Sequence, residues 1–197
     1  MTIIHTGPSY DGAVSARDHL RRIVAALEPG DARERADRDA VLRWVDSGAP
    51  LYRTRPPDEP PMHLVSYVVP VDPGRGELLL VAHRKAGLWL PPGGHVEPDE
   101  DPWHTAAREA GEELGLVLTD RSAPAFVTVT RTVGPGPHTD VSLWYVVTTS
   151  AEAVTAYDES EFDAIAWLRP AEILRRPHDE MDPELPRFLA KLPDRIA

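Results

Sequence analysis

Gly94-His95-Val96-Glu97-Pro98-Asp99-Glu100-Asp101-Pro102-Trp103-His104-Thr105-Ala106-Ala107-Arg108-Glu109-Ala110-Gly111-Glu112-Glu113-Leu114-Gly115-Leu116 decides the reading of this chain. The stretch sets Glu100, Glu109, Glu112, Glu113 and Arg108 around a glycine turn and one helix. Asp101 is a good N-cap, Pro102 suits the first helical position, and Gly115 supplies the stop. Trp103, Ala107, Ala110 and Leu114 recur at helical spacing and predict a core face. Glu109, Glu112 and Glu113 stand at i, i+3 and i+4, so the spacing predicts that they share the opposite face. Like charges so placed destabilise a helix by roughly 0.2–0.5 kcal/mol per pair, so function is a better reason than stability for keeping them. Arg108 adjoins Glu109 and precedes Glu112 by one helical turn, which lets it orient a carboxylate bidentately. Negative charge at this density is costly without a neutralising cation, and hard divalent cations prefer carboxylate and carbonyl oxygens. Such a cage beside a glycine turn suits cleavage of a phosphate chain.

Taken together, these residues resemble the Nudix box, G-x5-E-x7-R-E-U-x-E-E-x-G-U, where U is a bulky aliphatic residue. Every Gly, Glu and Arg of that pattern is present between residues 94 and 116. The one departure is Ala110, small where a bulky aliphatic is expected. It falls on the core face and touches packing rather than chemistry. The flanks resemble the family too, with Trp89-Leu90-Pro91-Pro92-Gly93-Gly94 before the box and Glu161 six residues before Trp167.

The resemblance spans residues 62 to 197 and implies an α/β/α sandwich with a mixed sheet. It also implies hydrolysis of a diphosphate bond in a nucleoside diphosphate linked to another moiety, with Mg2+ or Mn2+ as cofactor. On that resemblance, Glu109 and Glu113 are the leading metal ligands, Glu112 ligates directly or through water, and the Gly94 carbonyl is a further ligand. Arg108 would orient Glu109, and Glu100 would brace the loop. The general base would be a box glutamate such as Glu109 or Glu112, or a downstream carboxylate, here Glu161 with Glu159 in reserve.

The remaining sequence narrows the alternatives. At 197 residues the chain suffices for one sizeable domain plus an extension. It has no cysteine, so disulfides, thiolate nucleophiles and zinc-thiolate sites are excluded. The absence also argues against an isomerase that resembles this fold but acts on isopentenyl diphosphate through an essential cysteine. Net charge is −11, of which residues 1–60 carry −1 and residues 61–197 carry −10. That balance opposes binding to polymeric nucleic acid, which needs Lys and Arg to displace counterions, and suits a small anion delivered with its own cations. No signal peptide or membrane-length apolar run is visible, so a cytoplasmic location without membrane attachment is expected.

Two amphipathic helices are predicted upstream. One spans residues 12–28, with Ala16, Leu20, Ile23, Val24 and Leu27 inward; the other spans 32–47, with Ala36, Ala40, Val41, Trp44 and Val45 inward. A proline-rich connector completes an extension of residues 1–60, ahead of a domain at 61–197. Two such helices cannot bury both faces alone, so they are expected to pack on the main domain or in a homodimer. Strands are predicted at 63–69, 77–83, 88–90, 126–133, 141–148 and 165–168, and helices at 170–175 and 184–192. Arg84 and Lys85, ending a strand just before the box, are candidates to hold distal phosphates. His138 and Trp144 are candidates to shape the substrate pocket, with core packing the competing role for the tryptophan. Glu97 is read as a surface-loop acid, and Trp44 and Trp103 as packing residues. A non-catalytic, ligand-sensing module on the same fold is the competing class of function; an intact box argues against it.

Overall fold

The computed structural model describes residues 15–54, 60–132 and 138–191. Two helices open it, α1 (Ala16–Ala25) and α2 (Ala32–Asp46). Then come strands β1 (Met62–Asp72), β2 (Glu77–His83), β3 (Leu88–Leu90) and β4 (Gly93–His95), and helix α3 (Pro102–Leu114). Strands β5 (Phe126–Arg131), β6 (Thr139–Thr148) and β7 (Phe162–Leu168) follow, with helices α4 (Pro170–Ile173) and α5 (Leu185–Lys191) at the end. The first part of the expected helix 12–28, the middle of the proline-rich connector and the last residue of the expected helix 184–192 lie outside the described residues.

All seven strands join one mixed sheet in the order β3-β2-β1-β6-β5, with β4 pairing with β1 and β7 with β2. β1 and β6 run parallel from Met62↔Thr139 to Val71↔Thr148. The other edge of β1 is divided. Its far end takes β2 at Val71↔Leu78, and its near end takes β4 through Val65↔His95, Ser66↔Gly94 and Tyr67↔Gly93. β4, which sequence reading leaves as a glycine turn, therefore sits where β2 leaves β1 to pair with β7.

Alternation along the strands gives each face its own core. One face sets Leu64, Val68, Leu143 and Tyr145 against Trp103, Ala106, Ala110 and Leu114 of α3. The other sets Val69, Val71, Leu78, Leu80 and Trp144 against Ile173, Met181, Leu185 and Phe188. This is the expected three-layer α/β/α arrangement. The upstream helices join the α3 side, where Leu20, Val24, Val41 and Val45 share its core cluster. Their packing on the sheet departs from the expected stripe in one respect. Ala36 is exposed, while Glu34 and Asp37 are buried. Glu34 is satisfied by the Gly30 N–H at 2.7 Å and by Lys191 Nζ of α5 at 2.6 Å. Paired in this way, a buried carboxylate ties α2 to the end of the chain, whereas an unpaired one would be costly.

If α1 and α2 share one cooperative core with the sheet, Leu20→Ala lowers the unfolding free energy of the whole chain by about 2–5 kcal/mol in a single transition. A separate early transition in calorimetry, with the main one unmoved, would show that the extension folds apart.

Candidate active site

Local sequence builds the box helix as expected. Asp101 accepts the Trp103 N–H at 2.9 Å, Pro102 opens the helix, and Gly115 closes it in the left-handed region at φ 67°. The charged face differs from the sequence expectation. Glu113 does not share an open face with Glu109 and Glu112; it is buried, with 5% of its surface exposed. It accepts a 2.9 Å hydrogen bond from the Gly93 N–H. Glu109 lies against the next residue, where a Cβ on Gly94 would overlap its Oε1 and stand 2.8 Å from its Cδ. Gly93 is required for a separate reason. Its φ is +147°, and a Cβ there would collide with the Ser66 backbone. The two glycines thus let carboxylates and a neighbouring strand approach the backbone together.

Arg108 is the hub that holds this acid cluster. Its Nη1 donates to Glu109 at 2.9 Å and to Glu112 at 3.0 Å, and its Nε reaches Glu100 at 3.2 Å. Glu100 also accepts the Thr105 hydroxyl at 2.7 Å, which is the bracing expected of it. Glu112, with its side chain 62% exposed, faces solvent. Burial raises the proton affinity of Glu109 against the opposing pull of Arg108. Glu113 is pushed up to about 9 by burial first, and then by Glu109 and Glu161. A buried and a half-buried carboxylate side by side, with an all-oxygen donor set, match the preference of a hard divalent cation. Glu109, Glu112, Glu113 and the Gly94 carbonyl are the groups available to hold one.

Glu161 is brought to this cluster. Its negative field is felt at both Glu113 and His83, and its carbonyl accepts the Arg84 N–H at 2.9 Å. The Asp158 N–H donates to the Glu113 carbonyl at 2.9 Å, pinning this loop to the end of α3. Glu159 and Glu97 are exposed. Arg84 and Lys85 are exposed at the end of β2; Arg84 pairs with Asp163 at 3.1 Å. Trp144 is placed differently from its candidate role. It is fully buried on the face away from α3, edge-on to Phe126 and donating to Thr128 Oγ1 at 3.2 Å. Packing on both faces of β6 leaves it no access to a ligand, so its role is core. His138 turns instead toward His63, His95 and Asp140. Sequence reading passes over His63 and His95. The only signal for them is strand register, which brings three distant segments together.

The family profile for the NUDIX domain matches residues 62–192. The chain is 33% identical over 129 residues to a MutT-like protein of Streptomyces ambofaciens, covering 64% of this chain and 78% of that protein. It is 29% identical over 134 residues to the CTP pyrophosphohydrolase of Escherichia coli K12, covering 66% of this chain and 94% of that one. Among solved structures, the MutT NUDIX hydrolase from Burkholderia pseudomallei superposes with a TM-score of 0.56 at 22% identity, covering 66% of this chain and 98% of its own. That likeness concerns the fold.

Glu113 holds its proton more tightly in the folded chain than in the unfolded one. The resulting stability is present in acid and is lost as pH rises from the ordinary carboxylate range toward about 9. With EDTA present, the Tm of wild type minus that of Glu113→Gln should therefore fall between about pH 5 and about pH 8. A flat or rising difference in thermal melts would overturn this placement of Glu113.

Proposed function

Since the chain belongs to the Nudix family, we propose that it is a pyrophosphohydrolase that splits a phosphoanhydride bond in a nucleoside diphosphate linked to another moiety, with Mg2+ or Mn2+ as cofactor. The observation that carries this reading is the pair of carboxylates, buried Glu113 and half-buried Glu109, set against the Gly93-Gly94 backbone. In this reading Glu109, Glu112, Glu113 and the Gly94 carbonyl hold the cation. A bound divalent cation supplies neutralisation of phosphate oxygens and a lowered pKa for attacking water.

The protein's own groups do the rest. Arg108 fixes Glu109 and Glu112 in one orientation through its two bonds from Nη1, so their oxygens need little rearrangement when substrate arrives. Glu161 takes the proton from the attacking water; its position beside Glu113 supports this role. Arg84 and Lys85 take the distal phosphates, with Arg84 exchanging the exposed Asp163 for a phosphate. An exposed ion pair of that kind is worth at most about 1 kcal/mol, so the exchange is cheap. The E. coli relative acts on CTP by its name, which supports nucleoside triphosphates as candidate substrates, beside nucleotide sugars and dinucleoside polyphosphates.

The test is a substrate panel with Mg2+ or Mn2+, reading phosphate against pyrophosphate release. Glu113→Gln should abolish metal-dependent release without unfolding the chain. Glu161→Gln should lower kcat by about 10²- to 10⁴-fold with little change in KM. Wild-type kcat in Glu161→Gln would remove it as the base, and full activity in Glu113→Gln would refute the ligand assignment.

A further inference from the structure

We propose that His63, His95, His138 and Asp140 form a second cation site, suited to a transition metal of the Zn2+ class, on the sheet face opposite the box carboxylates. Register builds it. His63 lies directly across from Asp140 in the parallel β1–β6 pair, and His95 lies across from Val65, two residues along β1 from His63. His63, Val65 and His95 therefore project from one face, whereas Gly94, across from Ser66, faces Glu109 and α3. His138 directly precedes β6 and stacks on His63 with ring centroids 4.8 Å apart. One donor atom from each of the four residues lies within 4.8 Å of the others.

The orientation of the rings is the second observation. His63 is fully buried, and its Nδ1 stands 2.9 Å from the Pro60 carbonyl oxygen. A carbonyl only accepts, so Nδ1 carries a proton, and the neutral ring then presents its Nε2 lone pair to the cluster. An imidazole donating its other N–H to a backbone carbonyl is the usual support of a metal-bound histidine. Nε2 of His63 and Oδ1 of Asp140 are buried 3.3 Å apart, an ion pair when His63 is protonated and two facing acceptors when it is neutral. His138 places Nε2 at the same Oδ1, also at 3.3 Å, while its Nδ1 meets the Thr132 hydroxyl at 3.2 Å. With His63 neutral, its Nε2 and Asp140 Oδ1 face each other as two acceptors, which is costly in a core; one cation between them satisfies both.

Three imidazoles and a carboxylate suit Zn2+ and its neighbours, whereas the all-oxygen box suits Mg2+ or Mn2+. Bonds of about 2.0–2.1 Å in a tetrahedron put donors about 3.4 Å apart, so the cluster must contract by roughly 1 Å. Arg53 competes for this seat, since its Nη1 stands 3.2 Å from His95 Nε2. An entering cation displaces that guanidinium.

The experiment titrates Zn2+ into the full chain, stripped with EDTA and kept in excess Mg2+, and reads bound zinc by elemental analysis and Tm. Wild type should retain one Zn2+ per chain and gain Tm. Glu113→Gln should keep that site, which separates it from the box. His138→Ala and Asp140→Asn, checked for folding by circular dichroism, should bind at least tenfold more weakly, and Arg53→Ala should bind more tightly. No retained zinc in wild type would overturn the proposal. So would zinc lost in Glu113→Gln but kept in His138→Ala, because the box would then be its seat.

Discussion

The contact on which the rest depends is the approach of Glu109 and Glu113 to the backbone of Gly93 and Gly94. A carboxylate that has lost its water must find protons, hydrogen-bond donors or cations, and here the donors are few. Glu113 has one backbone N–H, and Glu109 has the Arg108 guanidinium. The fold is arranged to keep them there. β4 occupies the near edge of β1 only because β2 turns away to β7, and that gap is where α3 lays its acids. Apolar packing of Trp103, Ala106, Ala110 and Leu114 holds the helix in place against the mutual repulsion of its charges.

Cost and use are linked here. The burial and crowding that raise Glu113 make the cluster by itself a poor place for two negative charges. The same features favour a doubly charged cation, whose field would offset the desolvation. Arg108 fits this view, because it bridges Glu109 and Glu112 while Glu100 holds it from behind.

Much of this was legible in the sequence because it is local. Asp101, Pro102 and Gly115 each act within one helical turn, and the helix begins and ends where they predict. β2 and β3 keep their predicted bounds because turn residues flank them. What could not be read is set by distant partners. Helical spacing puts Glu113 beside Glu109 and Glu112, yet the position of β4 decides that Glu113 is buried. Glu34 breaks an apolar stripe and is nevertheless fully buried, because Lys191 arrives from the far end of the chain. Trp144 and its neighbour Tyr145 are both core, since β6 is covered on both faces and alternation cannot reveal that. The histidine cluster comes from register between segments far apart, which no single-segment pattern records.

The central claim is that Glu109 and Glu113 are a seat for a divalent cation. It is tested most directly by calorimetric titration of Mn2+ into the metal-free chain near neutral pH, repeated in buffers of different ionisation enthalpy. With Glu113 pushed up to about 9, binding must expel a proton, and the apparent enthalpy should change with buffer. Glu113→Gln should lose that dependence. Binding of Mn2+ without proton release, or proton release that survives Glu113→Gln, would contradict the account.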